Sequence, residues 1–158
     1  MKDYILKESN DLFTYYEIIN QMEAKYILDV GMFLKRVGSL TRNTVGEQLP
    51  ENAFLFGVDF TPEKNFPTWE NIYDRIRNIP DFMEESLNQI YEVGIFLGVQ
   101  EALPESILEK LINKMKNCVE YVLIDDTLQC WDAMKVYKRK IPFMVDEKIY
   151  YVLELKGV

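Results

Sequence analysis

Four stretches of this chain are almost continuously apolar: Tyr26 to Val30, Ala53 to Val58, Val93 to Leu97 and Tyr121 to Ile124. Runs of that length without alternation predict strands covered on both faces. Between them the apolar positions fall at helical spacing. Leu12, Tyr15, Tyr16, Ile19 and Met22 share one face, with Ser9 or Asn10 as N-cap, and Trp69, Ile72, Tyr73 and Ile76 do the same after Pro67. From Pro104 to about Lys116 the stripe is Ile107, Leu108, Leu111, Ile112 and Met115, with Pro104 and Glu105 suited to the first turn and Lys114 and Lys116 to the last. Asn78-Ile79-Pro80-Asp81-Phe82 reads as a short strand or a loop.

Strands that alternate with helices imply βαβ units and a parallel sheet. The tail breaks this rhythm. Ile141 to Val145 and Lys148 to Leu155 flank the two-residue connection Asp146-Glu147, which predicts a hairpin. The expected fold is therefore α/β, a three-layer Rossmann-like arrangement whose mostly parallel sheet ends in an antiparallel hairpin strand. At 158 residues the chain is expected to be a single domain over 1–158, with 1–24 as an N-terminal helical extension packed on it.

Composition narrows the chemistry. Apolar residues make up 48% of the chain, which excludes a disordered polymer. The formal charge of -8 disfavours capture of a nucleic-acid backbone, and Lys138-Arg139-Lys140 is the only short basic cluster. There is no histidine, which removes a Ser-His-Asp triad, a Cys-His dyad and an imidazole base. Cys118 and Cys130 are too few for a four-ligand zinc site and fit a reduced compartment. With no apolar run of spanning length and no signal-peptide core, the expectation is a cytoplasmic protein that meets neither membrane nor nucleic acid. A metal site is not expected: Asp125-Asp126 could supply hard oxygen ligands, yet a solvated loop after a strand explains the pair more simply.

In open parallel sheets, ligands bind beyond the carboxyl ends of the strands, where strand order reverses. Three predicted strand ends carry suitable residues: Asp29-Val30-Gly31, Gly57-Val58-Asp59-Phe60, and Leu97-Gly98. Glycine lets a ligand approach the backbone, and an acid closing the second strand can accept bonds from ribose hydroxyls.

From about Leu12 to Leu155 the chain resembles the class I S-adenosylmethionine-dependent methyltransferases. Tyr26-Ile27-Leu28-Asp29-Val30-Gly31 is similar to the family's first motif, and Gly57 to Glu63 to its second, whose acid binds the cofactor ribose. Tyr91 to Val99 resembles the fourth strand, Leu103-Pro104 the start of the helix after it, and Asn117 to Asp126 the fifth strand and its exit. The resemblance implies S-adenosylmethionine as cofactor, bound by Asp29, Gly31, Asp59, Phe60 and Gly98, and methyl transfer to a small molecule. No residue stands out as a catalytic base.

The first motif departs from the family in its continuation. The two further glycines are replaced by Phe33 and Lys35, at positions where side chains would fill the space of the methionine moiety and ribose. Gly38 allows a longer turn before a helix from about Ser39, and the family's third strand has no clear counterpart. The alternative is thus a catalytically inactive methyltransferase-like domain that binds a protein partner. A third option is a nucleotide binder in which Lys35 and Arg36 neutralise a phosphate. The partner is open between a small-molecule substrate and a protein, and homodimerisation is open as well.

Overall fold

The computed structural model describes residues 2–37, 40–60, 72–97, 104–125, 137–145 and 148–155. Its centre is a seven-stranded sheet. In chain order the strands are β1 (Tyr26–Val30), β2 (Phe54–Asp59), β3 (Arg75–Asn78), β4 (Tyr91–Phe96), β5 (Val119–Asp125), β6 (Tyr137–Val145) and β7 (Lys148–Leu155). Their spatial order is β3-β2-β1-β4-β5-β7-β6. The first five run parallel, β7 is antiparallel to β5, and β6 is antiparallel to β7. The order reverses between β1 and β4, so the switch-point crevice lies at the carboxyl ends of that pair.

Side chains alternate across the strands and are buried on both sides. Ile27, Leu55, Val93 and Ile95 face a layer containing α1 (Lys2–Gln21), α2 (Phe33–Val37) and α3 (Arg42–Gln48). Leu28, Val30, Phe56 and Val58 face α4 (Ile79–Glu84) and α5 (Glu105–Met115) on the other side, where Phe82, Leu111, Ile112 and Met115 close the core. At the amino end of the sheet, the Glu92 carboxylate accepts from the backbone N–H groups of Lys25 and Tyr26, which ties the start of β1 to β4.

Several local expectations are corrected. The helix expected around Trp69 to Ile76 does not extend through its end, because Arg75–Asn78 is an edge strand paired with β2; Trp69 lies outside the described residues. This strand supplies the third strand that had no clear counterpart. Within the segment Asn78 to Phe82, Asn78 closes β3 and Ile79 onwards is helical. Asn78 caps α4 by accepting from the Asp81 N–H, and Pro80 sits in the first turn, where its missing N–H is harmless. Neither Ser9 nor Asn10 caps α1, which begins at Lys2. The helix expected from about Ser39 is α3, starting at Arg42 with Thr41 as its N-cap.

Candidate functional site

The crevice is built from the turn after β1. Gly31 has φ 88°, and its N–H donates to the Val58 carbonyl at 2.8 Å, which fastens the turn to the end of β2. Met32 follows with φ 49°, a left-handed conformation that a side chain makes unfavourable. Its side chain is fully buried, with Cγ close against Gly57.

Asp29 organises what comes next. Its carboxylate is 0% exposed and accepts from the Phe33 N–H at 2.8 Å and the Leu34 N–H at 3.4 Å, which closes the first turn of α2. The Tyr73 hydroxyl donates to it at 2.6 Å and the Tyr15 hydroxyl at 3.5 Å. Burial raises the Asp29 pKa, while the Tyr73 and Phe33 bonds and the Arg36 charge oppose that rise. Burial and then the Asp29 charge push both tyrosines well above the ordinary phenol range. Tyr73 is held in place from outside the crevice: Arg42 donates to the Ile72 carbonyl and pairs with Asp74, and Asp74 accepts from the Leu55 N–H.

The two residues at the glycine positions behave differently from each other. Phe33 does not project into the crevice. Its ring is fully buried beneath α1 and stacks on Tyr15, with centroids 5.6 Å apart. Lys35 does reach the site, and its ammonium lies 3.6 Å from the Asp59 carboxylate. Arg36 completes the arrangement. Its Nε donates to the Gly31 carbonyl at 3.2 Å, an Nη donates to the Leu97 carbonyl at 2.5 Å, and the guanidinium lies over the Phe33 ring at 5.4 Å. One side chain thus spans the gap between the ends of β1 and β4.

Of the residues predicted to bind cofactor, Asp29 and Asp59 lie at the carboxyl ends of the neighbouring parallel strands β1 and β2, and Gly31 follows β1 directly, bonded to Val58 beside Asp59. Phe60 is half-buried and packs against the core on the opposite face of the sheet. Gly98 lies outside the described residues, one position beyond Leu97. Neither cation is placed as a free phosphate receptor: Lys35 is engaged by Asp59, and Arg36 by two carbonyls.

Gly57 is the tightest point behind the site. A Cβ there would lie 3.0 Å from Met32 Cγ and 3.0 Å from Tyr73 Cδ1. Gly57→Ala is expected to lower stability by about 1–3 kcal/mol, the usual effect of overpacking, with a change in the near-ultraviolet tyrosine spectrum. A urea titration showing no loss would refute the close fit.

A second polar cluster sits at the same end of the sheet, and of its members the sequence singles out only Asp125. Lys148, opening β7, pairs with Asp11 of α1 at 2.7 Å and with Asp125 at the end of β5 at 3.5 Å. The buried Tyr150 hydroxyl donates to Asp11. Asp125 is therefore an internal ion-pair partner, while Asp126 lies outside the described residues. Among the described residues there is no cluster of three or more metal-ligating side chains, and no helix is long and apolar enough to cross a membrane.

No protein-family model matches the chain, and no curated protein sequence is similar to it. Solved structures do match. The methyltransferase domain of bacterial CtHen1-C is 12% identical with a TM-score of 0.57, covering 94% of this chain and 98% of that one. Magnesium protoporphyrin IX methyltransferase from Synechocystis, solved with bound S-adenosylmethionine, is 11% identical with a TM-score of 0.56, covering 96% and 79%. A candidate O-methyltransferase from Nostoc punctiforme is 13% identical with a TM-score of 0.53; the match covers 89% of this chain but only 54% of that protein. The chain has the fold of the class I S-adenosylmethionine-dependent methyltransferases.

In the free chain the polar groups of this crevice are engaged with one another. The acid expected to hold the ribose is 4% exposed and ion-paired to Lys35, and Arg36 occupies the passage between the β1 and β4 ends.

Proposed function

We propose that this methyltransferase-fold domain works by binding and does not transfer methyl groups. The observation that carries this reading is the internal occupation of the crevice: Lys35 on Asp59, and Arg36 across the Gly31 and Leu97 carbonyls. Asp59 is the acid that the family resemblance assigns to the ribose, so a nucleoside held there must first displace Lys35.

A cofactor-dependent methyltransferase is the second reading. It is supported by Asp29, Gly31 and Asp59 converging at the strand ends, and by the fold likeness to a protein solved with bound S-adenosylmethionine. Isothermal titration decides between the two. The expected result is no saturable heat with S-adenosylmethionine or its demethylated product up to about millimolar ligand, a binding free energy weaker than about -4 kcal/mol. A saturable wild-type isotherm in the micromolar range would overturn the non-transferring reading.

A further inference from the structure

We infer that the gap between the ends of β1 and β4 is a guanidinium seat, filled in the free protein by the chain's own Arg36 and opened to a guanidinium-bearing ligand when that side chain is displaced. This rests on the reading that no adenosyl cofactor occupies the crevice.

The seat is defined by acceptors just beyond the ends of two strands and by an aromatic ring. The Gly31 and Leu97 carbonyls receive two different nitrogens of one guanidinium, whose central carbon lies over the Phe33 ring, 5.4 Å from its centroid. Phe33 is fully buried and Tyr15 stacks on it, nearly parallel at 20°. Asp29 adds a buried carboxylate whose pKa responds to the Arg36 charge. Carbonyl oxygens, a carboxylate and a ring face all favour a cation. The planar fork selects guanidinium over ammonium: a compact ammonium is more strongly hydrated and cannot offer two fixed donors to these two carbonyls at once.

Tethering explains why such a site would stay closed in isolation. A side chain four residues beyond Met32 competes at a high effective concentration, so a free ligand meets a seat that is open only part of the time. Removing the tethered group should raise the apparent affinity for the free one.

The probe is ethylguanidinium, with the neutral isostere ethylurea as control. Arg36→Ala is expected to bind ethylguanidinium saturably at least ~10-fold more tightly than wild type, read as a rise in melting temperature and as amide shifts at Gly31, Phe33 and Leu97. Ethylurea should leave both unchanged, and Arg36→Met, which fills the gap without a cation, should not respond. A folded Arg36→Ala that shows no saturable response, or an equal response in Arg36→Met, overturns the seat. Should Arg36→Ala not fold, the wild type still decides. Exchange of the Arg36 Nε proton should be slower than in free arginine and should accelerate as ethylguanidinium is added; exchange at the free rate overturns the inference. Adenosyl ligands titrated in parallel keep the two readings apart, since adenosyl binding by wild type refutes the proposed function, whereas loss of the ethylguanidinium response refutes only the seat.

Discussion

Asp29→Ala is expected to destabilise the protein by about 3–5 kcal/mol, measured by urea denaturation at neutral pH. The wild-type carboxylate is fully buried and receives two short bonds, from the Phe33 N–H at 2.8 Å and the Tyr73 hydroxyl at 2.6 Å. Alanine orphans both donors inside the core, and each unsatisfied buried donor costs about 1–3 kcal/mol. The start of α2 loses its side-chain acceptor at the same time, so the Arg36 guanidinium should also lose its fixed position. Asp29→Asn keeps an acceptor and separates geometry from charge. Because burial raises the folded-state pKa, the stability contributed by Asp29 is fully present below the ordinary carboxylate pKa and is lost as pH rises through the raised value. The stability gap between wild type and Asp29→Asn should therefore be wider near pH 4 than near pH 7. A gap that stays constant or widens with pH would contradict the burial of the carboxylate.

The parts of the fold that were legible in the sequence are those where one local signal sufficed. Strands covered on both faces must be apolar on both, so β1, β2, β4 and β5 stood out as unbroken runs. The strand β3 did not, because an edge position lets Arg75 and Arg77 stay partly exposed, and its one apolar residue, Ile76, fell by coincidence at helical spacing with Ile72 and Tyr73. The helix α4 carried readable signals in Asn78 and Pro80, but at six residues it offered too little periodicity to outweigh the proline. The helix α2, at five residues, offered less still.

The site divides along the same line. Asp29, Gly31 and Asp59 could be located because strand ends are local features and the carboxyl ends of parallel strands share one side of the sheet. The direction of each side chain near them could not. Phe33 was expected to obstruct the crevice, yet it turns into the core because Tyr15, eighteen positions earlier in sequence, supplies a stacking face. Arg36 closes the crevice instead, through a carbonyl 61 residues away. Such a bond depends on which strands become neighbours, and no local pattern encodes that.

Lys148→Met should cost a comparable 3–5 kcal/mol, for an electrostatic reason. Lys148 is 10% exposed at its side chain and stands between Asp11 and Asp125, whose side chains are 5% and 1% exposed. Burying two carboxylates around one ammonium is sustained by their mutual attraction and by the Tyr150 hydroxyl bond to Asp11. Removing the ammonium leaves like charges facing each other out of water, the situation in which breaking a buried ion pair is most damaging. The damage should be local before it is global. Asp11 belongs to α1 whereas Lys148 and Asp125 belong to the sheet, so amide exchange should accelerate first along α1 around Asp11 and Thr14. The double variant Asp11→Asn, Lys148→Met should recover part of the loss, because it removes one of the stranded charges, and the recovered amount measures the coupling. A single-variant loss below about 1 kcal/mol, the range of exposed surface pairs, would show that Lys148 does not bind α1 to the sheet.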